Sequence, residues 1–389
     1  MIDQKVADYA KGLFREYYRH AEGIVPPNVG RREFGFGDFE KKISYRHLAF
    51  RDGDELRKKL VEDAPPFVSY SSAEYERPAA RPMENKGWLG SELIFDLDAT
   101  DLHLPCQSQH GRSWVCGICM GSVRTETVRL IEDFLVPDFG FSAKDIMINF
   151  SGNRGYHVHV MDRSVMQLDS KQRRDITEYI AGINISPEDF FDATSRALGG
   201  RMGSLYDGPT PESPGWGGKF ARSILGALKA GEQALVGFGM DPKVARKLCR
   251  NREAMEKGIR NGNWKPWGLD IAHLDDVWEG AIKGVAIKQS DSIDKNVTND
   301  THHLLRIPNT IHGDTGLAGR SIGSVAELAK FEPMADAIAF MHGTATVRIA
   351  KSPELSIGGE TFGPYEDKTA ELPQYAALYL MLKRVATLA

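Results

Sequence analysis

The chain has 389 residues, 49 of them Lys or Arg against 53 Asp or Glu, for a formal charge of −4. With 41% hydrophobic and 26% charged residues it has the composition of a folded protein, which excludes a fibre or a disordered chain, and its length predicts two or three units at roughly 150 residues each. The charge balance excludes a uniformly basic nucleic-acid binder, while leaving room for a local basic cleft beside acidic surface.

The opening segment "MIDQKVADYAKGLFREYYRH" spaces Val6, Tyr9, Leu13 and Tyr17 as one helix face and is too charged for a signal peptide. No apolar run approaches membrane length, so a cytoplasmic location is expected. A Pro/Gly-punctuated stretch follows, in which "ISYRHLAF" reads as a strand carrying Arg46 outward. "ELIFDLD" reads as a strand, the cysteine-rich segment after it as a loop, and "VRTETVRLIEDFL" as a helix with Val128, Ile131 and Leu135 on one face. "DIMINF" and "YHVHVMD" read as two strands joined by the tight turn "SGNRG". This order suits an antiparallel or mixed sheet with helices on one face, an α+β fold. From about residue 164 to 284 the pattern turns helical, in "KQRRDITEYIAGI", "PEDFFDATSRAL" and "VARKLCRNREAMEKGI", with a Gly/Pro-rich break at 199–219. Sheet-like alternation resumes at "GVAIKQSDSIDKNVT", and the chain closes on a helix, "YAALYLMLKRVATL", apolar around most of its circumference and therefore core in preference to interface. The expected division is a core of residues 1–163 and 284–389 around a mainly helical subdomain of residues 164–283.

Four segments carry chemistry. In "ELIFDLDATD", Asp96 and Asp98 stand at i and i+2 on a strand and so project from the same face. Like charges so placed repel unless a cation lies between them, and Mg²⁺ or Mn²⁺ held by carboxylates and substrate phosphates is the usual solution in phosphoryl or nucleotidyl transfer. "DLDAT" also fits the DxDxT signature of haloacid dehalogenase-like phosphatases, in which the first aspartate is a covalent nucleophile. "CQSQHGRSWVCGIC" offers Cys106, His110, Cys116 and Cys119 at a spacing typical of structural zinc, with His103 as a substitute for His110. Three cysteines within fourteen residues point to metal more than to disulfides in a reducing compartment. "SGNRGYHVHV" sets Ser151, Arg154 and His157 around a Gly-rich turn able to receive phosphate oxygens, with His159 on the same strand face. Later, "DSIDKNVTNDTHHLLRIPNTIHGDTG" supplies Asp294, His303, Arg306 and His312 in a stretch too polar for core.

Taken in order, "RREFGF", "ELIFDLDATD", the Cys/His knuckle at 103–120, "SGNRGYHVHV" and "DKNVTNDTHHLLRIPNTIHGDTG" resemble the catalytic small subunit of the archaeal and eukaryotic DNA primase, over about residues 31–317. The resemblance implies a primase core of mixed β-sheets flanked by helices, with a zinc knuckle and a helical subdomain. By position it implies that Asp96, Asp98 and Asp294 bind the catalytic Mg²⁺ or Mn²⁺. It assigns Ser151, Arg154, His157, His303, Arg306 and His312 to the incoming nucleotide's phosphates and Arg46 to the initiating nucleotide. The resemblance admits Arg or Lys at position 306; both pair with phosphate, though in different geometry. The implied activity is synthesis of short RNA primers from NTPs on single-stranded DNA, in a heterodimer with an iron–sulfur large subunit inside the replication machinery. The phosphatase reading accounts only for "DLDAT" and for "IMINFS", an apolar strand ending in Ser151 that passes for the second phosphatase motif. A non-catalytic zinc-containing nucleic-acid binder leaves the aspartate pair unexplained, because clustered acids repel a phosphate backbone without metal.

Overall fold

The computed structural model describes residues 2–198, 201–264, 271–286 and 295–389. It has the expected α+β character, and every strand ladder among the described residues is antiparallel. The chain divides into two compact units: residues 1–128, 141–174 and 291–389 form the first, and residues 129–140 and 175–290 the second.

The first unit is organised by two four-stranded sheets. One has the order 304–306, 67–71, 34–37, 45–48; the other has the order 320–322, 146–150, 155–160, 93–98. In the strand Leu93–Asp98, Leu93, Ile94, Phe95 and Leu97 are all buried, so the strand lacks two-period alternation until its last residues, where Asp96 and Asp98 are partly open. Its antiparallel neighbour Gly155–Val160 sets Asp96 opposite His157 and Asp98 opposite Gly155. On the other side of that neighbour, Asn149 lies opposite His157. The two sheets are joined where Ile94, Val297 and Leu305 cluster and the Thr298 hydroxyl donates to the Ile94 carbonyl at 2.6 Å. A third sheet pairs Thr344–Ser352 with Tyr365–Pro373 and with Ala386–Leu388. The closing helix, Gln374–Leu382, buries every side chain from Tyr375 to Leu382, as its all-round apolar pattern requires.

The second unit contains the helices Ser170–Ile180 (from Asp175 on), Gly215–Ala230, Glu232–Gly237, Pro242–Arg250, Arg252–Arg260 and Ile271–Val285. Its core is aromatic: Phe220 lies 4.5 Å from Trp278 and 5.5 Å from Trp264, and Phe191 lies 5.2 Å from Trp264 by ring centroid. A buried ion pair sits beside them, with Lys219 Nζ 2.6 Å from Asp138 and 4.7 Å from the Phe134 ring.

Four sequence expectations change. The first helix, Gln4–His20, is capped by the Asp3 side chain, but its buried face is Val6, Ala7, Ala10, Phe14 and Tyr18, with Tyr9, Leu13 and Tyr17 at the edge. Two alanines allow close approach, and Phe14 and Tyr18 fill what lies beneath. "PEDFFDATSRAL" is not a helix: residues 187–189 make one 3₁₀ turn, after which Asp192–Leu198 pairs antiparallel with Arg201–Asp207. A Gly-Gly pair between two short runs is a hairpin signal stronger than the weak helical spacing around it. "VRTETVRLIEDFL" is helical, but the helix begins earlier, at Gly117, and its last turns, Leu130–Leu135, are π-helical; Ile131 and Leu135 are buried while Val128 is only partly so. Finally, the end of "GVAIKQSDSIDKNVT" is helical, Lys295–Asn299, and residues 287–294 lie outside the described residues. Among the described residues no helix is long and apolar enough to cross a membrane.

The Lys219–Asp138 pair gives a direct test of this packing. Lys219→Met leaves a buried carboxylate without its cation and should cost about 3–5 kcal/mol in chemical denaturation, while Lys219→Met with Asp138→Leu should recover most of that loss.

Candidate active site

Asp96 and Asp98 open into a cleft of about 490 Å³ in the first unit. Of the predicted site residues, Arg46, Asp96, Asp98, Ser151, Arg154, His157, His303, Arg306 and His312 all line it, although they come from five separate stretches of chain. Asp294 lies outside the described residues. Lys42, Ser69, Asn153, Asp300 and His302 also line the cleft and were not singled out from the sequence.

The turn between the two central strands is closed by Ser151, whose Oγ accepts from the backbone N–H groups of Asn153 at 3.3 Å and Gly155 at 3.2 Å. Gly155 is required here, since a Cβ would stand 2.0 Å from the Leu97 carbonyl oxygen. Arg154 leaves this turn and donates through Nη2 to Asp98 Oδ2 at 3.2 Å and through Nη1 to the Arg112 carbonyl at 3.1 Å. Asp98 Oδ1 accepts from the Thr100 backbone N–H and hydroxyl, both at 2.8 Å. Both oxygens of Asp98 therefore accept hydrogen bonds, which fixes the orientation of that carboxylate.

His157 sets Nε2 3.6 Å from Asp96 Oδ1. Burial, reinforced by His159, Arg306 and other nearby cations, holds its pKa well below the usual range, so the ring is neutral near pH 7. His312 is buried and neutral for the same first reason, with Arg306 adding repulsion. Its Nδ1 accepts from the Asp314 N–H at 3.1 Å, which leaves Nε2–H as a donor. Arg306 lies 5.3 Å above the Phe67 ring and donates to the Ile311 carbonyl at 3.1 Å; burial brings its guanidinium down to about 10, still charged at neutral pH. Arg46 is held by the buried Glu33 carboxylate at 2.7 Å, and His303 Nδ1 sits 3.5 Å from Asp300. His159 does not line the cleft; it is fully buried and bonds Glu92 at 2.8 Å.

The knuckle assembles as a four-donor set. The Cys106, His110, Cys116 and Cys119 donor atoms all lie within 4.8 Å of one another, and His103 is outside the set. Cys119 Sγ is 3.5 Å from Cys106, 3.7 Å from Cys116 and 3.4 Å from His110 Nε2. Zinc bonds of about 2.3 Å at tetrahedral angles put sulfurs roughly 3.8 Å apart, close to the separations of Cys119 from Cys106 and Cys116. His110 Nδ1 lies 2.8 Å from the Gly111 carbonyl, an orientation that presents Nε2 as ligand. Burial raises the Cys116 thiol, but hydrogen bonds from the Cys119 backbone and from Cys106, His110 and Cys119 outweigh it and bring Cys116 down to about 7.

Residues 95–323 match the DNA primase small subunit family. The DNA primase small subunit PriS of Methanothrix thermoacetophila is 33% identical over 411 residues, covering 99% of both chains. That of Methanococcoides burtonii is 32% identical, again over 99% of each, and that of Methanocella arvoryzae 31% identical over 98% of each. The chain belongs to the DNA primase small subunit family.

Cys116→Ser should lower zinc content by elemental analysis and reduce thermal stability, because a closed thiolate site contributes folding energy. Full metal stoichiometry in that variant would remove Cys116 from the ligand set.

Proposed function

We propose that this chain is the catalytic subunit of a DNA primase, joining NTPs into short RNA primers on single-stranded DNA by metal-dependent nucleotidyl transfer. The observation that carries this reading is the meeting, in one cleft, of two carboxylates on a strand end with three guanidinium groups and four imidazoles. Asp96 and Asp98 offer the hard oxygen donors that Mg²⁺ or Mn²⁺ requires, and Asp294 would complete the set. When bound, the divalent ion neutralises charge on the leaving pyrophosphate and assists the attacking 3′-hydroxyl.

The chain's own groups bind and orient the triphosphate. Arg154 and Arg306 supply cationic forks, the second over the Phe67 ring. His312 donates through Nε2–H, and His157, being neutral, adds a donor beside Asp96 without competing with metal for the carboxylate. His303 and the Ser151 turn add further polar contacts, and Arg46, steadied by Glu33, takes the initiating nucleotide. No covalent enzyme intermediate is needed.

Residues 1–163 and 284–389 form the catalytic core in this proposal and 164–283 a subdomain inserted in it. The knuckle holds structural zinc. The mildly acidic total gives little general affinity for DNA. Template grip and start-site choice therefore rest partly on an iron–sulfur large subunit, within the cytoplasmic replication machinery.

Asp96→Asn and Asp98→Asn should each abolish primer synthesis in an assay with single-stranded DNA, NTPs and Mg²⁺ or Mn²⁺, with the folded state retained; Asp294→Asn should behave alike. Ordinary dinucleotide synthesis by Asp98→Asn at saturating Mg²⁺ would show that the pair is not the metal site. A base-labile phosphoryl adduct on Asp96 would favour phosphatase chemistry instead.

A further inference from the structure

The Cys/His knuckle is fastened to the catalytic sheet by side chains that nucleotidyl transfer itself does not use. On one flank Gln107 Nε2 donates to the Ala99 carbonyl at 2.7 Å, and Arg112 to the Thr100 carbonyl at 3.2 Å, both just beyond Asp98. On the other flank stands Lys383, the residue after the closing helix. Its Nζ donates to the Ser113 carbonyl at 2.8 Å and to Asn153 Oδ1 at 3.5 Å, bridging the knuckle to the 151–155 turn. Trp114 packs 5.8 Å from Tyr379, and the Lys383 ammonium lies 5.4 Å from the same ring. Burial brings Lys383 down to about 8, with Asp314 partly opposing that fall.

Between these two fastenings lies Arg154, whose guanidinium has one nitrogen on the knuckle's Arg112 carbonyl and the other on Asp98. An arginine held at one nitrogen still swings about its side-chain torsions, whereas two acceptors at opposite ends of the fork fix its plane. The position of the 112 carbonyl therefore sets where Arg154 points, and the neighbouring 113 carbonyl is the one Lys383 grips.

We propose that Lys383 is a positioning residue for the transfer site: it clamps the knuckle onto the 151–155 turn, so that the knuckle backbone aims Arg154 at the incoming triphosphate beside Asp98. This rests on the primase reading above. The knuckle then orients a substrate-binding cation as well as holding its own loop, and the far end of the chain takes part in nucleotide affinity without touching nucleotide.

The test is a double-mutant cycle read by equilibrium binding of ATP with Mn²⁺ and by kcat and KM for primer synthesis, on the full chain. Lys383→Met should weaken ATP binding and lower kcat/KM roughly 10- to 100-fold, the scale of a misplaced substrate-positioning group, with zinc content unchanged. Lys383→Arg, which keeps a cation of similar reach, should recover most of the loss. In an Arg154→Ala background, Lys383→Met should have no further effect on ATP binding. If Lys383→Met fails to fold, Lys383→Gln carries the same expectation. A lowered melting temperature with wild-type ATP binding, or an equal loss in the Arg154→Ala background, would overturn the inference and leave the primase reading standing. Absence of ATP binding by the wild-type chain would overturn both.

Discussion

Two carboxylates on one face of a strand repel each other, and the first unit is arranged around that repulsion. Asp96 and Asp98 cannot turn apart, because the ladder to Gly155–Val160 holds both in register. The strand leading to them is buried on both faces, so it cannot slip by one residue without driving aspartates into the core. What remains is to surround the pair with positive charge. Arg154 reaches it directly, and Arg46 and Arg306 line the same cleft. In the proposed reaction a divalent ion would supply the rest.

The imidazoles His157 and His312 stay uncharged in the cleft. Burial and the crowd of neighbouring cations hold both below their ordinary range. A cleft built from cations alone would hold pyrophosphate too firmly to release it, and neutral N–H donors give directional contacts at lower electrostatic cost. Arg306 needs its aromatic floor for a related reason: the Phe67 face offsets part of the desolvation that lowers its pKa.

Most of the cleft was legible because its residues sit in patterned contexts. The aspartates end an apolar strand, the cysteines have ligand spacing, and Arg154 stands in a Gly-rich turn. Lys42, Asp300 and His302 carried no such mark, being single polar residues in already polar segments; Asp300 and His302 precede strand 304–306, which pairs with strand 67–71, and Lys42 lies between strands 34–37 and 45–48 of the same sheet. Glu33 was hidden for the opposite reason: its role behind Arg46 depends on a ladder between strands 34–37 and 45–48 whose register shifts by a bulge. The hairpin at 192–207 was misread because its strands are polar and lack clean alternation. The rotated face of the first helix turned on two alanines, which a hydrophobic pattern underweights against tyrosine and leucine.

The catalytic unit is discontinuous in sequence, and this has a bearing on how the protein is made. Strand 67–71 waits for strand 304–306, and strand 146–150 for strand 320–322, before either four-stranded sheet is complete. On the ribosome, residues 175–290 emerge while both sheets still have an open edge. Contacts so distant along the chain make closure of these sheets slow, and an unfilled edge is a template for pairing with other chains. The stretch of synthesis from about residue 160 to residue 320 is therefore the interval in which the nascent chain is most exposed to such mispairing.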